Sequence, residues 1–115
     1  MNEFTATTRA ASTGTVIDLA GLLDRSAEAE LTGAFDTALE SSDGPVTLNF
    51  GAVEYINSTG IAIVVSLLAR AVAAGRVVRA YGLTPHYREI FTITRLSDFM
   101  GIYDDEATAS AATTS

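Results

Sequence analysis

Residues 49–74, NFGAVEYINSTGIAIVVSLLARAVAA, decide how the rest of the chain is read. The stretch begins inside a strand, because Val46, Leu48 and Phe50 alternate with Thr47 and Asn49, the period of a sheet strand with one buried face. Gly51 is expected to break that strand. A helix is expected to follow within about eight residues, since Ile61, Val64, Val65, Leu68 and Val72 recur at helical spacing and form a stripe suited to a core. Between strand and helix stand Asn57, Ser58, Thr59 and Gly60. They are small and carry an amide or hydroxyl, at the place where a helix exposes unpaired N–H groups and the positive end of its dipole.

Working outward, residues 3–9 and 14–20 are rich in Thr, Val, Ile and Phe, with Ser12, Thr13 and Gly14 between them, a β-hairpin pattern. Ala20 to Asp24 is expected to be a connection, with Asp24 or Ser26 capping a helix whose first turn holds Glu28 and Glu30. Ala27, Leu31, Ala34, Phe35, Ala38 and Leu39 give that helix its apolar face. Ser41 to Pro45 is the densest turn signal in the chain and separates it from the central strand.

After the central helix, Gly75 supplies a left-handed stop and Val77 to Tyr81 forms the next strand. A helix lying between two strands makes those strands parallel, with a right-handed crossover. Thr84 followed by Pro85 starts a short third helix with Tyr87, Ile90 and Phe91 at helical spacing. Leu96 to Tyr103 reads as a loop and a last brief strand, and Asp104, Asp105 and Glu106 as a solvated acidic turn able to open a terminal helical turn. From about residue 107 the chain is small and polar, and fraying is expected. The whole is expected to be a single domain over residues 1–115, with its core in about 4–106.

Composition narrows the chemistry. The absence of cysteine excludes disulfide frameworks, thiolate catalysis and thiolate metal sites. Fourteen acidic residues against seven basic give a formal charge of −7, which repels phosphate backbones, so nucleic acid is not an expected partner. The longest strongly apolar run, Ile61 to Ala69, is too short to span a bilayer, and the N-terminus lacks the apolar core of a signal peptide. A cytoplasmic location without membrane contact is the expectation.

Ser58 is the first candidate for chemistry. Asn, Ser and Thr are preferred helix caps, and the cluster is open to that reading alone. A second reading stands beside it, in which a hydroxyl at a strand end and a helix start accepts a phosphate stabilised by the dipole and amides. At 100° per residue, Thr59, Ile63, Ser66 and Arg70 share the side away from the expected core stripe, which would leave Ile63 as an apolar residue near a polar edge. His86 has no nucleophile and carboxylate arranged around it in the sequence, so a catalytic triad is not expected. Neither a calcium loop nor a phosphate-cradling glycine motif is present. No catalytic residue, metal or cofactor is expected.

The ordered set of a hydrophobic strand, Tyr55-Ile56-Asn57-Ser58-Thr59-Gly60-Ile61, a helix, a strand, the Leu83-Thr84-Pro85 turn and a helix ending near Thr94-Arg95-Leu96 resembles the STAS domain of bacterial anti-sigma factor antagonists. The resemblance covers roughly residues 4–110, and Gly21-Leu22-Leu23-Asp24 is similar to the segment before that family's first helix. It implies a single α/β domain, a small mixed sheet of about five strands with helices mainly on one face. It also implies a non-enzymatic partner switch. The unmodified antagonist binds an anti-sigma factor with serine kinase activity, phosphorylation releases it, and a serine phosphatase resets it. By position the phosphoacceptor falls on Ser58. Asn57, Thr59, Gly60, Ile63, Gly21, Leu22 and Asp24 are the implied partner-binding residues, in a monomer or a homodimer. The chain departs from the family at Asn57, where phosphorylated members usually carry Asp, a change that removes a charge and a proton acceptor beside the hydroxyl. An unphosphorylated STAS scaffold in a larger signalling complex is the alternative.

Overall fold

The structure, a computed structural model, describes residues 4–112. Five strands and four helices alternate along it: β1 (Thr5–Ala11), β2 (Gly14–Leu23), α1 (Glu28–Ser41), β3 (Val46–Ile56), α2 (Ser58–Ala73), β4 (Val78–Tyr81), α3 (Pro85–Ile93), β5 (Gly101–Tyr103) and α4 (Glu106–Ala111). Single 3-10 turns at Arg25–Ala27 and Leu96–Asp98 introduce α1 and β5. The strands form one sheet in the order β1-β2-β3-β4-β5. The first pair is antiparallel, and the other three pairs are parallel.

The expected hairpin is present as β1 and β2, although residue 3 of its first strand lies outside the described residues. The sheet's apolar face carries Ile17, Leu19 and Leu23 from β2, Val46, Leu48 and Phe50 from β3, and Val78 and Ala80 from β4. Against it pack Leu31, Phe35 and Ala38 of α1, the inner face of α2, and Phe91 of α3. Gly75 ends α2 at φ 68°, where only glycine is unstrained, and Arg76 N–H closes back on Ala71 O at 2.8 Å. No described helix is long and apolar enough to cross a membrane.

Four expectations are corrected. Gly51 does not end the central strand, because β3 runs on to Ile56 beside the second half of β2, with register shifts after Asp18 and after Gly21. The close approach at this point depends on Gly82: at φ 85°, a Cβ there would lie 2.7 Å from Gly51 N, whereas one on Gly51 would meet only the Asn49 side-chain oxygen, at 3.1 Å. For the same reason Gly21 to Leu23 is not a loop; it is the last part of β2, and Asp24 follows it as cap of the 3-10 turn, accepting Ser26 N–H at 2.9 Å.

The third correction concerns α2. Its buried face is Gly60, Ile63, Val64, Leu67, Leu68 and Ala71, so Ile63 is a core residue, whereas Val65 and Val72 are 45% and 60% exposed. A helix with so few polar residues offers only a weak amphipathic phase to read, and its buried face begins at Gly60, where a Cβ would lie 2.1 Å from Leu23 O. Fourth, the tail expected to fray from about residue 107 is helical as far as Ala111, continuing the terminal turn expected at Glu106. Residues 106–111 form α4, with Ala109 buried, while residues 113–115 lie outside the described range.

Glu106, expected in a solvated acidic turn, is ion-paired and only partly exposed. Arg79 and Tyr81 alternate with Val78 and Ala80 and so point to the other face of the sheet, where α4 lies. There Arg9 reaches across to Glu106 with two bonds of 2.7 and 2.9 Å and to Asp18 with bonds of 2.7 and 3.2 Å. Tyr81 O–H donates to Glu106 at 2.9 Å, and Asn49 donates to Asp18 at 2.8 Å. The Arg9 guanidinium holds both carboxyls below their ordinary pKa, and burial together with Glu106 pushes the Tyr81 phenol up to about 12.

A folded-state pKa below the unfolded one gives stability that is present above the unfolded value and lost as pH falls through the folded one. Glu106→Gln should therefore cost about 1 kcal/mol at pH 7, the scale of a partly exposed ion pair, and less at pH 3. Urea midpoints of wild type and variant at the two pH values measure this. A gap that persists undiminished at pH 3 would show that charge is not its source.

Candidate functional site

Four elements converge at the head of α2. Asn57 stands in extended conformation at the end of β3, and its side-chain oxygen accepts the Gly60 N–H at 2.8 Å. Its own N–H donates to Leu23 O at 3.3 Å, which fastens the loop to the end of β2. One residue earlier, Ile56 N–H donates to the Tyr87 hydroxyl at 3.0 Å, so α3 holds the strand end as well. Thr84 caps α3 by accepting Tyr87 N–H and thereby sets the height of that tyrosine.

Capping belongs to Asn57, and the Ser58 hydroxyl is exposed with no hydrogen-bond partner among the described residues. Ser58 and Thr59 open the helix, so their N–H groups have no intrahelical acceptor, and the positive end of a 16-residue helix dipole lies beneath the hydroxyl. Negative charge placed on Ser58 would be stabilised by its own domain.

Of the other residues singled out from the sequence, Thr59 is exposed and Asn57, Leu22 and Asp24 are half-buried around the same corner. Gly60, Gly21 and Ile63 are buried. Gly60 works from beneath: a Cβ there would fall 2.1 Å from Leu23 O, so the glycine is what seats the helix head on β2. His86 is exposed on the first turn of α3, its ring edge-on to Tyr87 at 5.0 Å. Among the described residues no cluster of three or more His, Asp or Glu side chains is arranged to hold a metal.

Sequence reasoning missed two features. Tyr55 is 52% exposed on the strand that leads to Ser58; its alternation with buried Ile56 was a readable signal, hidden by the expected break at Gly51. The second is apolar surface away from the corner, formed by Val65 and Val72 of α2 with Phe99. The misassigned phase of α2 concealed it.

A single α/β domain with an exposed serine on the first turn of α2 is what fold and corner define. The chain belongs to the STAS domain family: the family model described as Mlab, STAS domain, matches residues 6–102. Solved structures share the fold. An anti-sigma factor antagonist from Mycobacterium paratuberculosis superposes with a TM-score of 0.77 at 17% identity, over 94% of this chain and 92% of that one. SpoIIAA in its unphosphorylated form gives 0.70 at 18% identity over 94% of each chain. The Bacillus cell fate determinant SpoIIAA in its phosphorylated form gives 0.68 at 20% identity, covering 94% of this chain and 97% of its own. No curated protein matches the chain.

Proposed function

We propose that the chain is a cytoplasmic regulatory binding protein and not an enzyme: an anti-sigma factor antagonist that binds an anti-sigma factor while unmodified and is released when that partner's kinase activity phosphorylates Ser58. A serine phosphatase would restore the binding form. The observation that carries the reading is the division of labour at the head of α2, where Asn57 caps the helix and leaves the Ser58 hydroxyl exposed and unengaged. The fold shared with SpoIIAA, a protein solved in both unphosphorylated and phosphorylated forms, supports it. Thr59, Asn57, Leu22 and Asp24, joined by Tyr55, supply the reachable surface around the serine. Gly60, Gly21 and Ile63 shape that surface from below.

The charge introduced by phosphate need not disturb the domain, because it meets a helix N-terminus. Its effect falls on a partner surface fitted to a neutral hydroxyl, through desolvation and repulsion. Ser58→Asp should therefore weaken binding to the cognate anti-sigma factor at least tenfold, about 1.4 kcal/mol, with little change in melting temperature. Calorimetric titration of wild type and variant measures it. In parallel, intact mass after incubation with native extract and ATP should show one added phosphate on wild type and none on Ser58→Ala.

One observation favours a second reading, an unphosphorylated scaffold within a larger signalling complex. Asn57 puts an amide where a carboxylate would flank the hydroxyl, and that amide is already committed to Gly60 N–H. A scaffold would bind its partner equally well as wild type and as Ser58→Asp and would gain no phosphate.

A further inference from the structure

The solvent side of α2 differs from the surface around it. Ala62, Val65, Ala69 and Val72 succeed one another at intervals of three and four, all exposed, with Val65 at 45% and Val72 at 60%. Arg70, at the border of this face, is the helix's single charged residue, and it is paired with Asp36 of α1. In a chain that is 18% charged, the outward stripe of a surface helix ordinarily carries charge. The three-four spacing is that of a coiled-coil seam. Alanine at alternate positions lets a second helix approach to about 8 Å.

Along one side of this seam runs a groove of about 440 Å³, floored by Leu68 and walled by Leu96, Phe99 and Arg95, whose charge is paired with Asp98. Phe99 is 60% exposed. Along the other side lies α1, whose 14 residues hold Glu28, Glu30, Asp36 and Glu40 and no cation. At 100° per residue, Glu28 and Glu40 fall on either side of Asp36, on the flank that reaches α2 through Arg70. Both are exposed and have no ion-pair partner among the described residues.

We propose that the seam and groove of α2 dock an amphipathic helix of a partner protein, with an apolar face against Val65, Val72 and Phe99 and lysines or arginines along the edge that meets α1. Charge complementarity selects this occupant over a second copy, since each copy carries −7 and would bring acidic surface toward acidic surface. The apolar face gives attraction, and the carboxylates of α1 fix orientation. Docking here does not depend on modification of Ser58. That residue nevertheless lies four positions before Ala62 on the same stripe, so a helix bound along the seam would extend toward it.

The test is a titration of the isotope-labelled full chain with a synthetic amphipathic Leu/Lys peptide of about 18 residues, roughly 27 Å of helix, followed by NMR. A second peptide has Glu in place of every Lys. Saturable shifts confined to the amides of Val65, Ala69, Val72, Leu96 and Phe99 are expected. The Glu peptide should bind at least tenfold more weakly, and so should the Leu/Lys peptide to the double variant Val65→Ser/Val72→Ser, which should melt like wild type because both side chains are exposed. Equal binding by the variant would reduce the interaction to net charge and overturn the proposal. So would shifts centred elsewhere, no binding, or a dimer in sedimentation that the double variant abolishes.

Discussion

Gly60→Ala should destabilise the protein by about 3 kcal/mol or more, lowering the melting temperature by roughly 10–20 °C. Alanine is intrinsically the better helix former by about 1 kcal/mol, so the sign of the result is informative. The new methyl carbon would stand 2.1 Å from Leu23 O, 2.9 Å from Leu23 C and 3.1 Å from Ile56 Cγ2. Leu23 is fully buried, and its carbonyl already accepts Asn57 N–H. Backbone at the end of a core strand has nowhere to retreat, so the head of α2 must lift, and the bond from Asn57 is strained or lost. Thermal and urea unfolding measure the stability loss, and the exchange rate of the Asn57 amide reports whether the damage is local to the loop. An unchanged midpoint would mean that α2 is not seated on β2 as described. Ser58 rides on this turn, so partner binding should fall along with stability.

Phe91→Ala should cost about 3–5 kcal/mol, the range for emptying a large aromatic site in a core. Phe91 has no exposed surface, and its ring meets Phe50 edge-on at 5.8 Å, a geometry worth about 1 kcal/mol beyond burial. It is the one fully buried side chain of α3, the helix that brings the Tyr87 hydroxyl to Ile56 N–H. Losing it should loosen the strand end that carries Asn57. Ile93→Ala, two residues along and 69% exposed, should change stability by no more than about 0.5 kcal/mol. Urea midpoints of the two variants provide the comparison, and similar losses in both would contradict the packing of α3.

What the sequence disclosed was largely local. The hairpin, the alternation of β3 up to Phe50, the Thr84-Pro85 helix start and the Gly75 stop each follow from neighbours within a few residues, and all are present. The strand-loop-helix corner was legible for the same reason, and the STAS resemblance carried on its residues is matched by the family itself. The readings that failed depended on distant partners. Gly51 looks like a stop until Gly82 passes against it, and Glu106 looks like a solvated acid until Arg9 reaches it. Which face α2 would bury was not written in its own apolar residues, because nearly every position offers one; the decision is made by Leu23 pressing on Gly60. The uncharged outer seam escaped notice with it.

The strand order β1-β2-β3-β4-β5 has a consequence for biosynthesis. Each strand pairs with the one made just before it, so in a chain leaving the ribosome at about 5–20 residues per second every new strand finds its partner already made, and none has to insert between two strands already paired. Sheet growth becomes stepwise addition, with modest loop closures at every step and little time for unpaired edges to find the wrong neighbour. The exception is the pairing of Arg9 with Glu106 across 97 residues, which joins the first strand to the last helix. It can form only after residue 106 has been made, which makes the docking of α4 a late closure of a sheet already assembled.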